Sequence, residues 1–127
     1  MAMILLIDSS QSNSLRLSLT SKKDSVFDIN IKAHHTQSEK LLPLLEEQLT
    51  KFHLKLSDIT GIQVENRGEG FTNLRIGVTT ANALAFALGI SVTPIKGKAL
   101  KKKGIMVVQP EYSRAPHITV KKPQVSN

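Results

Sequence analysis

Cysteine and tryptophan are absent from the 127-residue chain, and aromatic residues are scarce, with one tyrosine and four phenylalanines. The missing cysteine excludes disulfides, thiolate metal sites and cysteine nucleophiles together, and it fits the reducing cytoplasm where this chain is expected to work. No run of about 18 apolar residues exists, so no membrane-spanning helix and no membrane partner are expected. The apolar start from Met1 to Ile7 is short and ends at Asp8. It lacks a basic lead and a small-residue cleavage site, so it does not read as a signal peptide. Acids are missing from one region only. Residues 1–95 hold nine lysines and arginines against nine acids, whereas residues 96–127 hold eight against the single Glu111. The body is therefore neutral and the whole excess of +7 lies in the C-terminal segment. Such a block is either a solvated tail or an element whose field attracts phosphate or RNA.

What is present is a pattern of alternating periods. Met3–Ile7 is a continuous apolar run, as in a strand buried on both faces. Asp8 to Asn13 is a polar turn. Leu15, Leu17 and Leu19, then Phe27, Ile29, Ile31 and Ala33, recur at every second position, which predicts two strands with one buried face each. Short connections join the three strands into an antiparallel meander. Helical period follows. Thr36 or Ser38 can cap a helix, and Leu41, Leu45, Leu49 and Phe52 form its stripe opposite Lys40, Glu46, Glu47, Thr50 and Lys51. Pro43 should kink this helix or mark a late start. A strand centred on Ile62 and Val64 leads to a loop at residues 66–70.

A second helix is expected from about Phe71 to Leu88, with Gly89 as its C′ residue. Leu74, Gly77, Val78, Ala81, Leu84, Ala85 and Leu88 share one side, and Ile76, Ala83 and Ala87 lie nearly opposite. A helix with two apolar sides is normally covered on both, by its own domain or by a second chain. Ser91 to Ile95 is a last strand, residues 97–104 read as a lysine-rich linker, and Ile105 to Val108 is a short apolar run. Two prolines make residues 109–119 an extended strap. The final residues, 121–127, are expected to be disordered. The order β-β-β-α-β-α-β resembles one lobe of the ribonuclease H-like, actin-like (ASKHA) α/β fold, with a mixed five-stranded sheet and two main helices.

Four stretches then coincide with one family. Ile4-Leu5-Leu6-Ile7-Asp8-Ser9-Ser10 resembles its first strand and Asp-Thr-Ser turn. Gln37-Ser38-Glu39-Lys40-Leu41-Leu42-Pro43 resembles its His-Ser-Glu-Arg-Leu-Leu-Pro helix. Gly68-Glu69-Gly70-Phe71-Thr72-Asn73-Leu74-Arg75-Ile76-Gly77 resembles its Gly-Pro-Gly-Ser-Phe-Thr-Gly-Leu-Arg-Ile-Gly segment, and Gly89–Pro94 the strand after it. The family is TsaB (YeaZ), the bacterial partner of TsaD in making threonylcarbamoyladenosine (t6A) in tRNA. The resemblance covers about residues 3–97, within an N-terminal lobe of residues 1–97. Residues 98–127 are a basic linker and a strap similar to the Pro-x-Tyr-x-Arg-x-Pro end of family members. The resemblance implies that a second lobe, which members carry between these regions, is reduced here to about ten residues by an internal loss rather than a truncation.

The resemblance implies a non-catalytic scaffold. Its partner is a TsaD-like protein, with a TsaE-like ATPase in the same complex, a homodimer when alone, and only indirect or weak contact with tRNA. ATP and metal are expected on TsaD, and no cofactor on this chain. The two helices would pack against the partner's equivalents as a four-helix bundle, through Glu39, Leu42, Leu45, Glu46, Asn73, Gly77, Thr80, Ala81 and Leu84. Asp8, Ser9 and Ser10 stand where such folds place a phosphate loop, and are vestigial candidates for that role. One lobe offers half a nucleotide cleft, and a turn that caps the first strand is the competing explanation. Gly68-Glu69-Gly70 lacks the Lys-Ser/Thr ending of a P-loop, and Glu69 would repel phosphate. Here the chain also departs from its family, with Glu69 for Pro, one Ser missing and Asn73 for Gly. His34 and His35 are adjacent and would point to opposite faces of a strand. The His-x-x-x-His metal motif of TsaD-type enzymes is absent from the sequence. No catalytic residue is assigned. The alternative function is an independent nucleotide- or RNA-binding module that uses the basic C-terminal segment.

Overall fold

The structure, a computed structural model, describes residues 2–22, 24–68, 71–97, 99–102 and 105–112. Strands β1 (Met3–Asp8), β2 (Ser14–Ser21) and β3 (Asp24–Lys32) form the expected meander, followed by α1 (Gln37–Lys51). A single 3-10 turn at Leu56–Asp58 leads to β4 (Gly61–Val64), the two-residue β5 (Arg67–Gly68), α2 (Phe71–Leu88) and β6 (Ser91–Pro94). The main sheet has five strands in the order β3-β2-β1-β4-β6. The β1–β2 and β2–β3 pairs are antiparallel, and β1–β4 and β4–β6 are parallel. Parallel pairing follows from the connections, because α1 and α2 each carry the chain back across the sheet.

The register explains why these strands belong together. Phe27, Leu19, Leu5, Ile62 and Val92 line up across all five strands. Ile29, Leu17, Ile7, Val64 and Pro94 form the next row on the same face. A slip of one residue in any strand would swap these apolar rows for the polar positions between them. Leu41, Leu45 and Leu49 of α1 and Val78, Ala81 and Ala85 of α2 close over this face in one core cluster. Both helices lie on that face. For this reason Ile4 and Leu6, on the other side of β1, are only half-buried, and the expectation that β1 is covered on both faces is met on one.

Helix ends follow local chemistry. Gly89, at φ +68°, closes α2 with N–H groups of Gly89 and Ile90 on the carbonyls of Phe86 and Ala85. This is the Schellman arrangement expected of a glycine at that position. At the start of α1, Thr36 occupies the cap position, yet its hydroxyl makes no capping bond. Helix α1 runs through Pro43 without the late start considered above. Pro43 and Glu39 are exposed, so the carbonyl that Pro43 leaves without a donor can be taken by water.

The C-terminal segment departs from expectation. In place of a linker, β7 (Leu100–Lys102) and β8 (Ile105–Val107) form an antiparallel hairpin in which Leu100 pairs with Val107. Val108 then enters the core. Asn82 of α2 holds it at both ends: its amide donates to the Val108 carbonyl at 2.8 Å, and its oxygen accepts from the Val108 N–H at 2.9 Å. The Asn66 amide donates to the Gln109 carbonyl at 2.8 Å. Finally β9 (Glu111–Tyr112) pairs in parallel with β5, and Arg67 meets Glu111 at 3.4 Å. The strap expected from the prolines is thus present through Tyr112. Its continuation to Thr119, the loop residues Glu69 and Gly70 and the final residues 121–127 lie outside the described residues.

Candidate partner-binding face

The side of α1 and α2 turned away from the sheet carries an apolar surface that nothing in the described chain covers. On α1, Leu41, Leu44, Leu45, Gln48 and Leu49 face inward, whereas Leu42 is 52% exposed between the exposed carboxylates Glu39 and Glu46. On α2, Asn73, Leu74, Gly77, Val78, Ala81 and Ala85 face inward. Ile76, Thr80 and Leu84 are half-buried along the seam with α1, and Ala83 and Ala87 are exposed beside them.

Two open grooves run along this seam, and Leu42 borders both. The larger, about 510 Å³, lies toward the end of α1 between Leu42, Leu49, Leu54, Leu56 and Leu84. The smaller, about 370 Å³, lies toward its start between Ser38, Leu42, Ile76, Thr79 and Thr80. The apolar residues that line these grooves gain little from the monomer and would gain from a second surface.

Burial corrects four of the nine interface residues expected from the resemblance. Leu45 and Ala81 are in the core, at 1% and 0% exposure, with Leu45 forming part of the floor of the larger groove. Asn73 is buried at the start of α2, where its carbonyl accepts a hydrogen bond from the Ser9 hydroxyl at 2.6 Å. Gly77 faces the sheet, and a Cβ there would collide with the Ser9 hydroxyl. The small residues of α2 permit close approach, as expected, but to β1 of the same chain. Glu39, Leu42, Glu46, Thr80 and Leu84 remain on the outer surface. Ile76 belongs to the second apolar strip of α2, and Leu54 and Leu56 follow α1, where its period gives no signal.

The turn after β1 is occupied by its own hydrogen bonds. The Asp8 carboxylate accepts from the Ser10 N–H at 2.9 Å and the Ser10 hydroxyl at 2.6 Å. Ser9 is fully buried; its hydroxyl donates to the Asn73 carbonyl and accepts from the Gly77 N–H at 3.0 Å. From the other side the Gln37 amide donates to the carbonyls of Gln11 and Ser12 at 3.2 and 3.0 Å. Gly68 packs so closely on Ser10 that a Cβ there would lie 3.0 Å from the Ser10 Cβ. Of the three vestigial phosphate-loop candidates, Asp8 and Ser10 are half-buried and only Ser9 is enclosed. These groups fasten the turn to α1, α2 and β5, and Ser9 cannot reach a ligand. His34 and His35 are exposed with ring centroids 4.0 Å apart. Among the described residues no three His, Cys, Asp or Glu side chains gather as a metal site. No helix among them is long and apolar enough to cross a membrane.

Residues 30–116 match the family model described as TsaD: tRNA N6-adenosine threonylcarbamoyltransferase. Among solved structures, the fold is similar to YeaZ from Pseudomonas aeruginosa, with a TM-score of 0.69 at 19% identity over 91% of this chain and 71% of that one. It is also similar to a protein described as uncharacterized with similarity to peptidase YeaZ from Pseudomonas aeruginosa. There the TM-score is 0.70 at 18% identity, over 98% of this chain and 71% of that one. No curated protein matches the sequence.

Proposed function

The chain belongs to the family that the TsaD model describes, and from this we propose that it is a TsaB-type subunit, a non-catalytic scaffold for a TsaD-like partner in forming t6A in tRNA. The observation that carries this reading is the uncovered seam between α1 and α2, with Leu42 half-exposed between two grooves. A helix pair from a homologous partner presents ridges that fit such grooves, and interlocking the two pairs would bury Leu42, Ile76 and Leu84 together. Exposed Glu39 and Glu46 beside Leu42 would then form a polar rim around an apolar centre, the usual anatomy of such contacts.

The turn after β1 supports the non-catalytic part. Nucleotide chemistry needs donors free to meet phosphate, and here the side chains of Asp8, Ser9 and Ser10 bond to one another and to α2. We assign ATP and metal chemistry to the partner and to a TsaE-like ATPase. The β7–β8 hairpin would stand in place of the second lobe.

The test is co-expression with a TsaD-like protein followed by mass measurement of the eluted complex. A one-to-one complex is expected. Leu42→Gln should weaken it by at least about 30-fold if Leu42 sits at the centre of the contact. A chain that stays monomeric beside its partner, or a complex indifferent to Leu42→Gln, would remove the scaffold role. Capture of this chain only by itself would assign the seam to a homodimer.

A further inference from the structure

The C-terminal segment docks on groups that all precede it in the chain. Asn82 bonds both backbone groups of Val108, the Asn66 amide donates to the Gln109 carbonyl, and β9 pairs with β5. All of these bonds are made to the segment's backbone. They hold an extended chain in this groove without regard to the body from which it comes.

A short hinge at residues 95–97 joins the segment to the body, between β6 and Ala99, which packs on the core. Pro94 ends β6 with a fixed φ, and Gly97 stands at φ +96°. Only glycine takes that backbone readily. Among the described residues, a Cβ on Gly97 would meet nothing nearer than the Arg67 guanidinium at 3.8 Å, so space is not the constraint. The same Arg67 meets Glu111 at 3.4 Å. The segment thus leaves the body and docks again beside one side chain, and its path closes through the unusual conformation at Gly97.

We infer that two copies of this chain exchange β7 to β9, so that Val108 and β9 of each copy dock on Asn82 and β5 of the other. Exchange keeps every bond named above. The balance between closed monomer and exchanged dimer therefore rests on the hinge and on concentration. An opened hinge runs extended and needs no positive φ at Gly97. Asn82 lies nearly opposite Leu84 around α2, two residues being about 200° apart on a helix, so exchange leaves the seam with α1 free. The exchanged dimer presents two such seams, which goes beyond the scaffold role proposed above.

The chain has no cysteine, so introduced ones report cleanly. Arg67 and Glu111 are register partners in β5 and β9, a placement that suits a disulfide. The test is the double variant Arg67→Cys with Glu111→Cys, equilibrated at rising concentration and then briefly oxidised. A closed monomer links within itself. An exchanged dimer links two chains and runs at double mass on a denaturing gel until it is reduced, whereas a dimer held through the seam falls apart there. A double-mass species that grows with concentration is expected, and it should be absent from either single variant. Adding Gly97→Val should lower the concentration of half-exchange about 30-fold, because two strained hinges are relieved in each dimer. A triglycine insertion after Gly97 should act the other way and favour the monomer. The insertion relaxes the hinge, so it tests the inference even if Gly97→Val does not fold. Single mass at every concentration, or a double-mass share indifferent to both hinge changes, would overturn the exchange.

Discussion

Along α2, the side turned toward the sheet and the side turned away are both apolar, yet they differ in build. The inner side combines Leu74 and Val78 with Gly77, Ala81 and Ala85, and it is sealed against β1, β4 and β6. The outer side carries Ile76, Ala83, Leu84 and Ala87, and stays half-buried or bare. Small residues serve the interior here. They bring the helix backbone near enough for the Ser9 hydroxyl to bond with two α2 backbone groups. The outer side has no such lock. A stripe of small residues thus reports a close approach without saying to what, and only the neighbour decides between core and interface.

This contrast can be broken most severely from within. Leu45→Ala removes a core side chain and should cost about 2–5 kcal/mol in urea denaturation. If the cost were below ~1 kcal/mol, Leu45 would belong to the outer surface after all. Gly77→Ala should cost about 1–3 kcal/mol despite the better helix propensity of alanine, because the new methyl displaces Ser9 from its two bonds. Pairing it with Ser9→Gly should recover part of that loss, and a double mutant no more stable than Gly77→Ala would show that the collision is not the cause.

A smaller effect is expected at the sheet edge. Arg16 donates two hydrogen bonds to Asp28, at 3.0 and 2.8 Å, and holds the Asp28 carboxyl below its usual range. A lowered folded-state value means that the pair stabilises the fold above the unfolded value and that this stability is lost as pH falls through the folded one. Both side chains are more than 40% exposed, so Asp28→Asn should cost at most a few tenths of a kcal/mol at pH 7, and this cost should shrink as pH falls through the folded-state value. Leu42→Gln should likewise change stability little, within about 0.5 kcal/mol, while its effect on the partner complex is large. Equal losses at Leu42 and Leu45 would erase the distinction between the two surfaces.

Periodicity made the main sheet and both helices legible, since each apolar row repeats at the spacing of its element. Three features escaped it for physical reasons. Lysines obscure β7, whose pairing with β8 shows only once Leu100 and Val107 are set opposite each other. Strands β5 and β9 are two residues long, too short for any period. The side chains that tie the molecule together are small and polar. Ser9, Gln37, Asn66 and Asn82 look like ordinary turn or helix-surface residues until their partners, 25 to 68 residues away, are in place. The resemblance pointed to α1 and α2 as a contact surface but not to which of their residues look outward, because that depends on the rotation of each helix over the sheet.

The strap bears on how the protein is made. Val108 fills a gap in a core whose other members all precede it by at least the 16 residues back to Val92. The amides that receive it and Gln109 lie 26 and 43 positions earlier. A nascent chain emerging from the ribosome can pair β1 to β6 and lay down both helices, yet until Val108 is free of the exit tunnel Asn82 and Asn66 must bond to water. Completion of this small domain is therefore timed by translation of its C-terminal segment.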